Sequence, residues 1–133
     1  NLVENETVIT VPKNPDHSMK VLRDKLRNYF NLENLGIVMS DTFGRPWRIG
    51  QVNAAIGIAG LPATKKEQGT RDAWGNQLYV TQPAFCDEIA ASSGLLMSKA
   101  GKCPAVLLRG LSWSGENGSA SDILREQKED MFR

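Results

Sequence analysis

Seven of the twelve glycines fall between residues 36 and 75, at 36, 44, 50, 57, 60, 69 and 75. No other feature constrains the fold as much. Glycine accepts left-handed backbone and lets a second backbone come close, at an entropic cost on folding. Inside this zone "NAAIGIAGL" is apolar but interrupted by glycine. It reads as a strand or extended segment to which another backbone, or a ligand, comes close.

The rest of the chain sets the frame. Its 133 residues fit one domain, and 41% hydrophobic with 23% charged residues is ordinary for a globular protein. A net charge of +1 gives no basic field for nucleic acid. No apolar run approaches the ~20 residues of a membrane span, and no signal peptide is visible. Cys86 and Cys103 lack metal-ligand spacing and are expected to be buried free thiols of a cytoplasmic protein. The opening "NLVENETVITVP" has no methionine and reads as the middle of something longer.

Glu6 to Val11 alternates as a strand does, and Pro12 ends it. A helix follows, with Asn14 as N-cap, Pro15 in the first turn and Asp16 at the positive end of its dipole. Met19, Leu22, Leu26 and Tyr29 share one face of it and are expected in the core. Leu35 to Ser40 reads as a short buried strand. A turn at Gly75-Asn76 leads to a strand over Leu78 to Val80. "TQPAFCDEIAASSGLLMSKA" is a second helix with Phe85, Ile89 and Leu96 on one face. Pro104 to Gly110 reads as another buried strand. "GSASDILREQKEDMF" reads as a closing helix, opened by a capping box between Ser119 and Asp122. The sum is an α+β protein with a mixed sheet and packed helices. Neither dinucleotide-binding nor P-loop glycine motifs occur.

The chemistry concentrates in "SDTFGRPWRIGQ", Ser40 to Gln51, which has no helix or strand period and reads as a loop after a buried strand. Asp41 and Thr42 offer adjacent hard oxygens of the kind Mg²⁺ or Mn²⁺ takes. Arg45 and Arg48 can grip phosphate or carboxylate oxygens in bidentate fashion. Gly44 and Gly50 let the backbone turn its N–H groups toward an anion. Cation-binding oxygens beside guanidiniums suit phosphoryl transfer, which is mostly charge neutralisation and positioning. The competing reading is an exposed loop with an Asp–Arg ion pair and Trp47 anchored in the core. Elsewhere the plain readings lead. His17 is a surface residue, Asp87 and Glu88 are dipole partners, Arg71 and Asp72 form a loop ion pair, and Trp113 is a loop anchor. Lys99 and Lys102 read as solvent-facing lysines at a helix end, with phosphate contact as the other possibility.

Together these segments resemble the coenzyme F420-0:L-glutamate ligases, also called F420:gamma-glutamyl ligases. "SDTFGRPWRIGQVNAAIGIAGL" carries the resemblance. It continues through "GTRDAWGNQLYVTQPAFCDEIAASSGLLMSKA", "CPAVLLRGL" and "GSASDILREQKEDMFR", over essentially the whole chain. Asn1 matches the last residue of the family's "G-[IV]-D-x-S-N" motif. Residues 1–133 are therefore expected to be one domain, the C-terminal portion of the ligase domain.

The resemblance implies GTP-dependent amide formation in F420 biosynthesis. The F420-0 carboxylate attacks the γ-phosphate, and the amino group of L-glutamate attacks the resulting acyl phosphate. It further implies Mg²⁺ or Mn²⁺, a monovalent cation such as K⁺, a cytoplasmic location, and a homodimer or association with an N-terminal half. Asp41 and Thr42 match metal ligands. Asn1 and the segment Met97, Ser98, Lys99, Ala100, Gly101 and Lys102 match nucleotide-contacting positions. Arg45 and Arg48 are assigned, with Asp41, to catalysis by charge. Two other readings stay open: an amide ligase for a different phosphorylated carboxylate, and a non-catalytic half-domain or dimerisation module.

Overall fold

The computed structural model describes residues 7–114 and 118–130. Helix α1 spans Pro15–Phe30, strand β1 Ile37–Arg45, strand β2 Arg48–Ala59 and helix α2 Phe85–Gly94, with short 3₁₀ turns at Ala120–Ile123 and Gln127–Glu129. Both helices pack against β2. The architecture is α+β, and among the described residues the sheet is one antiparallel pair, β1 with β2.

Helix α1 starts as its sequence dictates. The Asn14 side chain accepts the His17 N–H at 3.0 Å, and Pro15 and Asp16 occupy the first turn. It ends at Asn31, whose φ of 51° is left-handed. Of its expected core face, Met19 is buried and Leu26 half-buried, whereas Leu22 and Tyr29 are exposed. Tyr29 instead meets Phe30 edge to face.

The core is small and rich in alanine. Ala55, Ile58, Leu61 and Ala63 meet Cys86 and Ala90 of α2, with Val38, Phe85, Ile89, Trp113 and Ile123 packed around them. Trp113 is the anchor its loop position promised: Nε1 donates to the Gly60 carbonyl at 3.1 Å. Glycine permits the tight joints. A Cβ on Gly57 would stand 2.6 Å from Cβ of Pro15, so β2 and the start of α1 touch only because none is there. The close approach expected of "NAAIGIAGL" is thus made by the protein's own backbone.

Two carboxylates tie the helices to β2. Asp16 Oδ1 accepts the Ile58 N–H at 2.7 Å, and Asp87 Oδ1 accepts the Ala55 N–H at 2.9 Å. Each sits in the first turn of its helix, where the dipole favours a negative charge. Asp16 also accepts the Ser119 hydroxyl at 2.6 Å, while Ser119 and Asp122 form the expected capping box. Asp87 is therefore a dipole partner that also satisfies strand backbone.

Several expected elements take another form. The segment 40–51 is a hairpin. Residues 7–11 and 104–110 are not strands; they have no ladder partner among the described residues. Residues 119–130 form two 3₁₀ turns where one helix was expected. Leu124 breaks the run by adopting extended backbone between them. Residues 63–72 and 76–86 run alongside each other through scattered hydrogen bonds, with only the Arg71–Gln77 bridge formed. Pro83 lacks the N–H that a continuous ladder would use. At the turn, Asp72 accepts the backbone N–H groups of Trp74 and Asn76. The Asn76 amide and backbone N–H hold its carboxyl below the usual range. Arg71 donates to the Gly75 carbonyl, so the expected Arg71–Asp72 ion pair does not form. Leu96 is exposed, leaving Cys86, Ala90 and Ser93 as the buried residues of α2.

The thiols separate. Cys86 is 0% exposed, but Cys103 is exposed, contrary to expectation. Burial, then the neighbouring Asp87 charge, pushes the Cys86 thiol from 9.0 up to about 11. The unfolded chain therefore deprotonates first. The stability that neutral Cys86 contributes is complete below pH 9.0 and is lost as pH rises toward about 11. Native protein at about pH 8 should be alkylated by iodoacetamide at Cys103 and spared at Cys86, read by peptide mass mapping.

Candidate functional site

The stretch that reads as a loop is a β-hairpin. β1 runs through Asp41, Thr42 and Phe43 to Arg45, and β2 starts at Arg48. Pro46 and Trp47 make the turn, with Trp47 at a left-handed φ of 55°. Asp41 faces Ala54, Thr42 faces Asn53 and Arg45 faces Arg48, with register shifts at Met39/Ser40 and Gly44/Arg45. Trp47 is 88% exposed, so it does not anchor in the core. No Asp41–arginine ion pair forms among the described residues.

Adjacent strand residues face opposite sides of a sheet. The Asp41 carboxylate nevertheless leans forward along the strand toward Thr42. Asp41 Oδ1 accepts the Thr42 N–H at 2.7 Å, and no described residue donates to its other oxygen. Asp41 is exposed and Thr42 half-buried.

A third group arrives from far along the chain. Lys99 Nζ donates to Thr42 Oγ1 at 3.2 Å, across 57 positions. Lys99 lies beyond α2, whose end packs on the hairpin: Gly94 sits against the Asn53 side chain, and a Cβ there would lie 3.1 Å from Asn53 Cγ. Segment 97–102 is a turn in which the Gly101 N–H bonds the Ser98 carbonyl, and Lys102 adopts a left-handed φ of 50°. Met97 is half-buried, while Ser98, Lys99, Ala100, Gly101 and Lys102 are exposed. The fold therefore brings Thr42 of the expected oxygen pair against Lys99 of the expected nucleotide-contacting segment. No sequence spacing could have announced that contact.

Arg45 and Arg48 do not join this corner. Arg45 is four strand residues beyond Asp41, about 13 Å at the usual rise. Both guanidiniums lie at the exposed hairpin tip. Asn1 lies outside the described residues. His17 is exposed, as expected.

The described residues contain no group of three or more His, Cys, Asp or Glu able to hold a metal ion. Asp41 and Thr42 supply two oxygens. That fits the usual mode of Mg²⁺, which takes one or two protein carboxylates and fills its octahedron with water and substrate phosphate. The hairpin thus carries an acid–hydroxyl pair, with a lysine bonded to the hydroxyl from an exposed turn. No helix among the described residues is long and apolar enough to cross a membrane.

Residues 1–110 match the family model described as F420-0:Gamma-glutamyl ligase. The Coenzyme F420:L-glutamate ligase of Archaeoglobus fulgidus is 40% identical over 132 residues, covering 98% of this chain and 52% of that protein. That of Methanocaldococcus jannaschii is 36% identical over 124 residues, covering 92% and 49%. The chain belongs to the F420-0:gamma-glutamyl ligase family. It spans about half the length of the curated relatives it matches.

Proposed function

We propose that the complete protein adds L-glutamate to coenzyme F420-0 in a GTP-dependent reaction through an acyl phosphate. Family membership supports the ligase reading. The observation that supports the site is the Lys99–Thr42 hydrogen bond, between one residue of the segment read as nucleotide-binding and one of the pair read as metal-binding.

Asp41 and Thr42 would hold Mg²⁺ or Mn²⁺, which when bound neutralises phosphate charge. Backbone N–H groups and the ammoniums of Lys99 and Lys102 in segment 97–102 would orient the nucleotide phosphates. Arg45 and Arg48, away from the corner, are better placed for the acceptor phosphodiester than for the γ-phosphate. A carboxylate oxygen of F420-0 forms a bond to the γ-phosphorus as the bond to the β-phosphate oxygen breaks, releasing GDP. The glutamate nitrogen then attacks the acyl carbon and loses a proton, and phosphate leaves with the former carboxylate oxygen. The chain needs no covalent nucleophile for this sequence.

Exposed apolar side chains at Phe43, Trp47 and Ile49 support association with further protein surface, a second copy or a preceding half-domain. The two unpaired thiols support a cytoplasmic setting.

The test uses the complete protein with GTP, Mg²⁺, L-glutamate and F420-0 labelled with ¹⁸O in its carboxylate. The expected result is F420 lengthened by glutamate, GDP, and ¹⁸O in the released phosphate. Glutamylation without label in phosphate would remove the acyl phosphate, and no glutamylation would remove the acceptor assignment.

A further inference from the structure

Thr42 Oγ1 is asked to do two things. It is read as a cation ligand, and it already accepts a hydrogen bond from a cation, the Lys99 ammonium, at 3.2 Å. A hydroxyl oxygen has two lone pairs, so both roles fit geometrically. Electrostatics separates them. A divalent ion bound to Oγ1 at ~2.1 Å would stand about 4–5 Å from the ammonium nitrogen. Like charges that close repel strongly at a partly screened protein surface.

The rest of the corner favours Lys99 as the group that yields. Lys99 is exposed, has a flexible four-carbon stem, and makes no ion pair among the described residues. Asp41 and Thr42 are held in the strand ladder against Ala54 and Asn53. The carboxylate beside Thr42 leaves one oxygen without a described donor, so the corner is acceptor-rich and gains from a nearby positive charge. Lys99 supplies that charge internally.

We infer that Lys99 is a tethered counter-ion, which a divalent cation displaces from Thr42. Metal binding would then release the ammonium from the strand and free it to meet phosphate oxygens. Lys99 is thus a positioning residue that couples the metal corner to segment 97–102. The inference rests on the reading of Asp41 and Thr42 as the metal corner.

The test measures Mn²⁺ affinity of the complete protein without nucleotide, from the electron paramagnetic resonance signal of free Mn²⁺. Lys99→Met keeps the length of the side chain and removes its charge. It should bind Mn²⁺ at least tenfold more tightly than wild type, whereas Lys99→Arg should stay within about threefold because it keeps the cation. The same Lys99→Met protein should bind GDP with Mn²⁺ more weakly, since its freed donor is gone. Equal or weaker Mn²⁺ binding by Lys99→Met would overturn the inference. Asp41→Asn separates the two readings. If it abolishes Mn²⁺ binding and Lys99→Met changes nothing, only the counter-ion role fails; if Asp41→Asn binds Mn²⁺ as wild type does, the metal corner itself is elsewhere.

Discussion

Asp41→Asn is expected to lower the turnover number of the complete protein at least 100-fold while leaving its melting temperature within about 2 °C of wild type. The two halves of this expectation have separate causes. Asparagine keeps Oδ1, so the bond to the Thr42 N–H survives. The residue is exposed on a strand whose ladder is made by backbone, so the fold loses little. What disappears is the negative charge of the carboxylate that holds the Thr42 N–H. A metal that neutralises a transferring phosphoryl group contributes several kcal/mol, and ~2.7 kcal/mol already amounts to 100-fold. Steady-state rates across a Mg²⁺ series check it. Activity within threefold of wild type would move the metal away from β1.

Gly60→Ala is expected to be the most damaging glycine-to-alanine change among the described residues, at about 3–5 kcal/mol. Gly60 has a φ of 80°, which an L side chain rarely adopts, and a Cβ there would collide with the Leu35 carbonyl oxygen. It would also collide with the Arg23 guanidinium, whose Nε donates to that same carbonyl at 2.6 Å. Backbone cannot give way as a long side chain can, so α1, the start of β1 and the end of β2 would have to move apart. Gly69→Ala provides the control. Gly69 has a similar φ of 83° but open space around it, so it should cost only about 1 kcal/mol. Chemical denaturation of both variants measures the difference. Equal costs would mean that backbone strain, and not the joint, sets the penalty.

The first expectation turns on the hairpin, which the sequence conceals. Between Asp41 and Gln51 nearly every residue is exposed, so neither face of the hairpin selects for apolar side chains. Period-two alternation arises only where one face is buried, and here there is no burial to write it. The reverse error occurs at residues 7–11 and 104–110. They have β-branched or apolar content, yet Val8, Ile9 and Leu107 are exposed and no described strand lies beside them. Pattern reports what a segment would suit as a neighbour, and says nothing about whether the neighbour is present.

Local chemistry was legible wherever the interaction spans a few residues. The Asn14 cap, the Pro15 start and the Ser119–Asp122 capping box are bonds between near neighbours, and each appears as read. The glycine-interrupted segment announced close contact because only a missing Cβ permits it, although not that Pro15 and Leu35 would be the partners. The family could be read from a contiguous run of side chains. By itself, then, the sequence determined the family, the caps at Asn14 and Ser119, helix α1 and the crowded glycines. It also determined the presence but not the bounds of α2, which lacks a side-chain cap and spans only Phe85–Gly94. Tertiary structure alone decided that Asp87 would hold the Ala55 backbone, that Cys86 and Cys103 would part company, and that Lys99 would reach Thr42. Such contacts depend on how β2 carries distant segments together, and no short window of residues encodes that distance.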